Sequence, residues 1–233
     1  MKSLIKTLAL TLAVAPPAFA GMNDDPLLVM GKLDQFETRD ADGPNPLVWD
    51  AQGWIGKDLR KLWLKTEGER EDGETTEFEF QALLDRAIAP YWDFQVGWRG
   101  DFKPKPTRDW LVIGVQGLAP YFFEVDAALF VGDSGRTSAR LDAEYEMLFT
   151  QRLILTPEIE VNLFGRDDQA VSIGSGLSDV EAGLRLRYEI RREFAPYIGI
   201  NWWRKFGGTA DFAELAGDKT EDTQLVAGIR AWF

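Results

Sequence analysis

The sequence predicts an all-β protein, a transmembrane, antiparallel, up-and-down β-barrel of about 12 strands. Three observations predict it: apolar and charged residues alternate through most of the chain, short and long connections alternate, and aromatic residues fall near the strand ends. Segment 184–191, for example, places apolar residues in one row and Arg185, Arg187, Glu189 and Arg191 in the other. Successive side chains of a strand point to opposite faces, whereas helical faces repeat every 3.6 residues, so this pattern indicates a strand.

The first 20 residues are predicted to be a secretory signal peptide. Lys2 and Lys6 precede an apolar stretch that ends in Ala18-Phe19-Ala20, an A-x-A cleavage site. Residues 21–233 are then expected to form one outer-membrane barrel, with a short periplasmic lead-in at 21–26. No later stretch reaches the roughly 18 apolar residues of a transmembrane helix. We therefore expect export to the outer membrane of a Gram-negative cell.

Twelve segments carry the alternation, most with the roughly 10 residues that a membrane-crossing strand needs. They are predicted at 27–37, 46–55, 59–69, 74–87, 91–101, 108–118, 121–131, 137–149, 152–164, 178–191, 194–205 and 221–233. Short turns alternate with longer polar loops at 38–45, 70–73, 102–107, 132–136, 165–177 and 206–220. Short periplasmic turns and long outer loops are typical of outer-membrane barrels, so both termini are expected in the periplasm.

The positions of the aromatic residues indicate whether the apolar faces of the strands contact lipid or a protein core. A soluble sandwich would turn its charged rows to water, whereas a membrane barrel turns its apolar rows to lipid. Two aromatic belts are expected at the interfaces. One comprises Tyr91, Tyr121, Tyr197 and Phe233, and the other comprises Trp49, Trp98, Trp110 and Trp202. The apolar rows are therefore predicted to contact outer-membrane lipid, and their continuity favours a monomer.

The charged rows are then predicted to line the interior of the barrel. The candidate lumen residues are Glu77, Glu79, Asp93, Arg99, Glu124, Asp126, Arg140, Asp142, Glu158, Glu160, Glu181, Arg185, Arg187, Glu189 and Arg230. Two interpretations follow. Charges of both signs can pair across strands into a salt-bridged interior. Alternatively, the excess of acids attracts cations into a narrow channel or binding lumen.

Composition excludes several functions. A net charge of −12 argues against nucleic-acid binding. The absence of histidine and cysteine removes imidazole catalysis and the ligands of tight soft-metal sites, so an enzyme and a tightly bound cofactor are not expected. Only methionine sulfur and oxygen remain as metal ligands. The candidates are Met22, Asp24, Asp25, Met30, Glu144 and Glu146.

Long segments also carry a family resemblance. They are WDAQGWIGKDLRKLWLKTEGE at 49–69, YWDFQVGWRGD at 91–101, LFTQRLILTPEIEVNLFG at 148–165 and GLSDVEAGLRLRYEIRREFAPYIGINWWRKFGGTAD at 176–211. They resemble the copper resistance protein B family over nearly all of the mature chain. The resemblance implies an outer-membrane barrel that binds copper ions or passes them across the membrane, with a periplasmic copper-binding protein as an expected partner.

Many members of that family carry a Met- and His-rich segment before the barrel. Here the lead-in is short and histidine is absent. Copper would therefore have to use lumen oxygen ligands or the few methionines. The alternative is an outer-membrane barrel without metal specificity, either a general cation pore or a salt-bridged structural barrel.

Overall fold

The computed structural model describes residues 26–41 and 43–233, which form a closed antiparallel barrel of 12 strands. With one exception, each strand pairs with the next strand in sequence, and the final strand pairs with the first. The strands are β1 (Leu28–Asp40), β2 (Leu47–Lys57), β3 (Arg60–Glu71), β4 (Glu74–Ala89), β5 (Trp92–Lys103), β6 (Arg108–Ala119), β7 (Phe123–Gly132), β8 (Thr137–Glu144), β9 (Met147–Leu148), β10 (Leu153–Phe164), β11 (Gly176–Tyr188), β12 (Phe194–Lys205) and β13 (Glu221–Trp232). The predicted fold class is confirmed.

The two rows of each strand meet different surroundings. In β11, Leu184 is 43% exposed on the outside, whereas Arg185 is 5% exposed on the inside. The same holds on β12 and β13, where Ile198 and Leu225 point outward. Because these apolar residues are exposed and the charged ones are buried, the barrel turns its apolar surface to lipid and its charges to the lumen.

The strand predicted at 137–149 is interrupted. β8 ends at Glu144, and the two residues of β9 pair only with β10. At the break, the Tyr145 amide donates to the Pro157 carbonyl, over 3.0 Å. Pro157 has no N–H to donate in return, so one backbone hydrogen bond with the chain at Tyr145 is missing. Together, β8 and β9 occupy one of the 12 strand positions.

The segment 206–220 was predicted as an outer loop, but it contains a helix, α1 (Gly207–Ala216). It ends at Gly217, whose φ of 82° lies in the left-handed region that favours glycine. Thr209 of α1 is buried and accepts a hydrogen bond from the Gly174 amide at 2.9 Å. The helix therefore packs on the preceding outer loop. In the part of the chain that the structure describes, no helix has the length and apolarity to cross a membrane.

Two of the predicted belt aromatics point inward instead. Tyr197 and Trp110 are each 5% exposed. The Tyr197 hydroxyl donates to Glu37 Oε2 at 2.9 Å, and Trp110 Nε1 donates to Asp101 Oδ2 at 2.7 Å. Both residues lie in the inward row of their strand, and their polar atoms reach lumen carboxylates there. Tyr91, Tyr121 and Phe233 are exposed, as the belt requires.

Candidate functional site: the lumen

The barrel encloses a cavity of about 1120 Å³. Its lining extends from Ala41, Pro104 and Arg136 at the outer end to Tyr91 and Leu118 beside the periplasmic turns. Among the predicted lumen residues, all but Glu189 line this cavity. Glu189 follows the end of β11, and its carboxylate lies 3.8 Å from Arg187. The charged rows therefore surround one continuous polar space.

A cluster of buried charges ties β1 to β10, β11 and β12. Glu37 is only 1% exposed. Its carboxylate accepts bonds from Arg39 at 2.9 Å, from Arg185 at 2.8 and 2.9 Å, and from Tyr197. Arg185 also reaches Glu158 at 2.9 Å. Charge-assisted bonds of this kind are the strong ones in proteins, so this cluster fixes one side of the barrel.

Other ion pairs cross the lumen. Arg140 of β8 donates to Glu67 of β3 at 2.9 Å and to Glu79 of β4 at 3.0 Å. Lys65 of β3 pairs with Asp126 of β7. Because these strands are not neighbours in the sheet, the side chains span the interior and narrow it.

The predicted metal ligands Glu144 and Glu146 lie at the periplasmic end and are engaged in ion pairs. Arg230 binds Glu144 at 2.9 Å and approaches Glu146 at 3.5 Å, and Arg187 binds Glu146 at 2.6 Å. Met30 lies on the lumen side of β1, where it packs against apolar residues. Met22, Asp24 and Asp25 fall outside the described residues. Across residues 26–41 and 43–233, no three or more acids are grouped as a metal would need.

Acids outnumber bases on one side of the lumen and nearly balance them on the other. We call the inner face of β7, β8 and β10 the acidic wall, and that of β1, β11, β12 and β13 the arginine wall. The acidic wall carries Glu124, Asp126, Asp142, Glu144, Glu158 and Glu160, with Arg140 as its base. The arginine wall carries Lys32, Arg39, Arg185, Arg187, Lys205 and Arg230, together with the acids Asp34, Glu37, Asp179, Glu181 and Asp222. This unequal charge balance between the two walls imposes a field across the cavity.

The acidic wall places carboxylates directly opposite one another. Register pairs join Glu124 to Glu144 and Glu144 to Glu158, and a second row joins Asp126, Asp142 and Glu160. Like charges in register destabilise a sheet unless a cation offsets them.

Seven cavity acids on the strands have no basic partner within 4.0 Å among the described residues. They are Asp50, Glu69, Glu71, Glu77, Glu124, Asp142 and Asp179. Two of them, Glu124 and Asp142, lie in the acidic wall. A carboxylate that faces the cavity without a base can stabilise a mobile cation.

The outer mouth is covered by the loop at 165–175. Asp168 accepts bonds from Arg108 at 2.8 and 3.0 Å, and Arg136 approaches it at 3.4 Å. The hydrogen bonds from Arg108 lower the pKa of the Asp168 carboxyl below its usual value. Val171, Ser172 and Ile173 of the same loop line the cavity. These ion pairs therefore hold the loop over the outer entrance of the cavity.

Comparison with known proteins identifies the family. The family described as copper resistance protein B precursor (CopB) matches residues 27–233. The chain belongs to the copper resistance protein B family. Copper resistance protein B of Escherichia coli is 46% identical over 212 residues, which cover 91% of this chain and 72% of that protein. The homolog from Pseudomonas syringae pv. tomato (strain ATCC BAA-871 / DC3000) is 46% identical over 200 residues, which cover 86% and 68%.

A solved structure shows the same fold. The NanC porin matches with a TM-score of 0.56 and 11% identity, over 88% of this chain and 99% of that one. At this identity the similarity concerns architecture alone. Family membership and barrel architecture together place the chain in the outer membrane, among proteins of copper resistance.

Some lumen residues were missed from the sequence. Glu37 was assigned to the end of the first strand, although Gln35, Glu37 and Arg39 continue the alternation to Asp40. Asp50 also lies in an inward row, between Trp49 and Ala51, and was not selected. For Asp50 the period-2 pattern carried the signal. For Glu37 it did not, because a β-bulge between Leu33 and Gln35 shifts the inward row of β1 to odd-numbered positions.

Proposed function

We propose that this barrel passes copper ions across the outer membrane, and that the acidic wall is their path. The observation that carries the proposal is the excess of cavity carboxylates without a base, among them Glu124 and Asp142 of the acidic wall. Conduction requires sites that bind well enough to admit an ion and weakly enough to release it. Carboxylates without a bound base meet that requirement better than a closed cage of ligands.

In this proposal copper is cargo and not a resident cofactor. An ion moves between the carboxylate rows of the acidic wall, while the bases of the arginine wall remain bound to Glu37, Glu144 and Glu146. Arg140 crosses the passage, so its bonds to Glu67 and Glu79 must exchange with the passing ion. A periplasmic copper-binding protein is the proposed partner at the inner end. No catalytic step is part of the proposal.

A second candidate is a structural barrel without metal specificity. The ion pairs that cross the lumen favour it, because Arg140 and Lys65 join strands on opposite sides of the interior. If these pairs never open, the lumen is plugged, and the chain contributes to copper resistance by another route.

The deciding experiment is single-channel conductance of the refolded barrel in a planar bilayer, with and without copper ions. We expect a cation-selective current that copper reduces by occupying the path. A double variant, Glu124→Gln with Asp142→Asn, should lower cation selectivity. The control, Glu221→Gln, changes an exposed acid at the outer end and should leave the current unchanged. Absence of current, with heat-modifiable migration intact, would establish the plugged barrel instead.

A further inference from the structure

The periplasmic end of the lumen holds a thioether beside two indoles. Met30 of β1 is the register partner of Trp54 of β2, and Trp54 is the register partner of Trp63 of β3. The two indole centroids are 6.2 Å apart. Met30 and Trp54 both pack against the apolar cluster to which Trp63 belongs. Three adjacent strands therefore bring one sulfur and two aromatic rings to the same level.

A positive charge already lies against these rings. Lys61 Nζ is 5.5 Å from the Trp54 centroid and 5.6 Å from the Trp63 centroid. Both distances are within the roughly 6 Å range of a cation–π interaction, for which Trp is the best partner. The same ammonium lies 2.8 Å from Asp93 and 3.7 Å from Asp85. Two indole faces and two carboxylates are thus arranged around one monovalent cation.

The ring of Trp63 is held in place. Its Nε1 donates to Gln52 Oε1 at 3.0 Å, and Gln52 Nε2 donates to Asp34 Oδ2 at 2.6 Å. Asp34 is in turn bound by Lys32 at 2.7 Å. Supporting bonds of this kind orient the groups that contact a metal. Trp63 and Asp93 also line the main cavity, so an ion in the lumen can reach this level.

We infer that Met30, Trp54 and Trp63 form a binding site for a soft monovalent metal cation, Cu(I), at the periplasmic end of the lumen. Thioether sulfur selects Cu(I) among copper ions, whereas an ammonium gains nothing from it. The metal replaces the Lys61 ammonium against the indoles, and Asp85 and Asp93 balance its charge. The inference rests on the proposed function for the identity of the cargo, but binding can be measured without transport.

The other described methionine provides a matched control. Met147 is 37% exposed in the lipid-facing row of β9, away from the indole pair. Met30→Leu and Met147→Leu each remove one thioether and conserve volume, a change that cores tolerate well. Lys61→Gln removes the competing ammonium and leaves the thioether and both indoles.

The test is calorimetric titration of the refolded full barrel with silver nitrate, in which Ag(I) is a redox-stable soft monovalent probe. All variants carry Met22→Leu, which removes the thioether of the lead-in. We expect one Ag(I) site accompanied by an indole difference absorbance. Met30→Leu should weaken binding at least about ten-fold, Met147→Leu should not change it, and Lys61→Gln should tighten it.

Two outcomes would overturn the site: a Met30→Leu titration that matches its parent, or a Lys61→Gln variant that binds no tighter. Heat-modifiable migration verifies that each variant is folded. The bilayer experiment separates this inference from the proposed function. Silver binding that depends on Met30 without any copper current would leave the site and overturn transport. A copper current, with silver binding that does not depend on Met30, would support transport and overturn the site.

Discussion

On the arginine wall, Glu37 is bound by Arg39, Arg185 and Tyr197, whereas on the acidic wall Asp142 faces Asp126 and Glu160 without a base of its own. Both groups point into the same lumen, and both lie on antiparallel strands of one sheet. The difference is therefore one of charge balance and not of fold. Balanced charges join strands, and unbalanced charges remain available to an ion that enters from solution.

The largest effect should follow from removing one partner of the arginine wall. Arg185→Met leaves Glu37 and Glu158 partly uncompensated, which for a buried pair costs about 3–5 kcal/mol of the free energy of unfolding. Arg204→Met is the matched control, because Arg204 is 52% exposed in its pair with Glu221 and such pairs contribute about 0–1 kcal/mol. Urea unfolding in detergent measures both. Equal losses would contradict the assignment of Arg185 as a structural residue.

The outward faces of the two walls should behave alike. Leu184→Arg on β11 and Leu141→Arg on β8 each place a charge in the lipid-facing row. We expect each to cost up to about 2–4 kcal/mol, which is the cost of a charge that faces lipid at the bilayer midplane. Unfolding from lipid vesicles measures the cost. A large difference between them would mean that the contrast between the walls is not confined to the lumen.

A smaller effect of opposite sign is expected on the acidic wall. Asp142→Asn removes one charge from the row formed with Asp126 and Glu160, so it should raise the free energy of unfolding by roughly 0.2–1 kcal/mol. The same variant should reduce cation selectivity in the bilayer. Glu37→Gln, its counterpart on the arginine wall, should lower stability. Destabilisation by Asp142→Asn would show that Asp142 has a structural partner.

The smallest effect concerns the loop at the outer mouth. The pKa of Asp168 is lowered by Arg108, so its bonds contribute stability above the usual carboxyl value of 3.8 and lose it as the pH falls through the lowered value. Because Asp168 lies in a loop at the mouth of the barrel, close to bulk solvent, the contribution should be below about 1 kcal/mol. The stability difference between the parent and Asp168→Asn should therefore be present at neutral pH and vanish in strong acid. A difference that persists in acid would assign the loop to other contacts.

The alternation of apolar and charged residues predicted the barrel, because the two faces of each strand can be identified from its own sequence. Leu184 and Arg185 differ in environment for a reason that is local to β11, so no distant residue is needed to see it. The same alternation places Asp50 in an inward row, whereas Glu37 turns inward through the β-bulge of β1.

The partners of the lumen charges could not be obtained in this way. Arg185 and Glu37 are 148 positions apart, and Arg140 and Glu67 are 73 apart. Their meeting depends on closure and strand stagger, which a repeat of two residues does not encode. The break at Tyr145 and the helix α1 likewise depend on a neighbouring strand and a neighbouring loop. Tyr197 and Trp110 were predicted in the aromatic belts because they lie near strand ends. Their positions in the alternation instead place them in the inward rows of β12 and β6.

The pairing of β1 with β13 has a consequence for assembly. Lys32 lies opposite Trp232, so the seam joins residues 200 positions apart in the sequence. Contacts between residues so far apart in the sequence are slow to form. The intervening chain loses conformational entropy on closure before the contact stabilises the fold. Until then, both edges of the sheet carry free backbone donors and acceptors that can template aggregation. The polypeptide must therefore be shielded through most of its biogenesis, and its last strand determines when that protection can end.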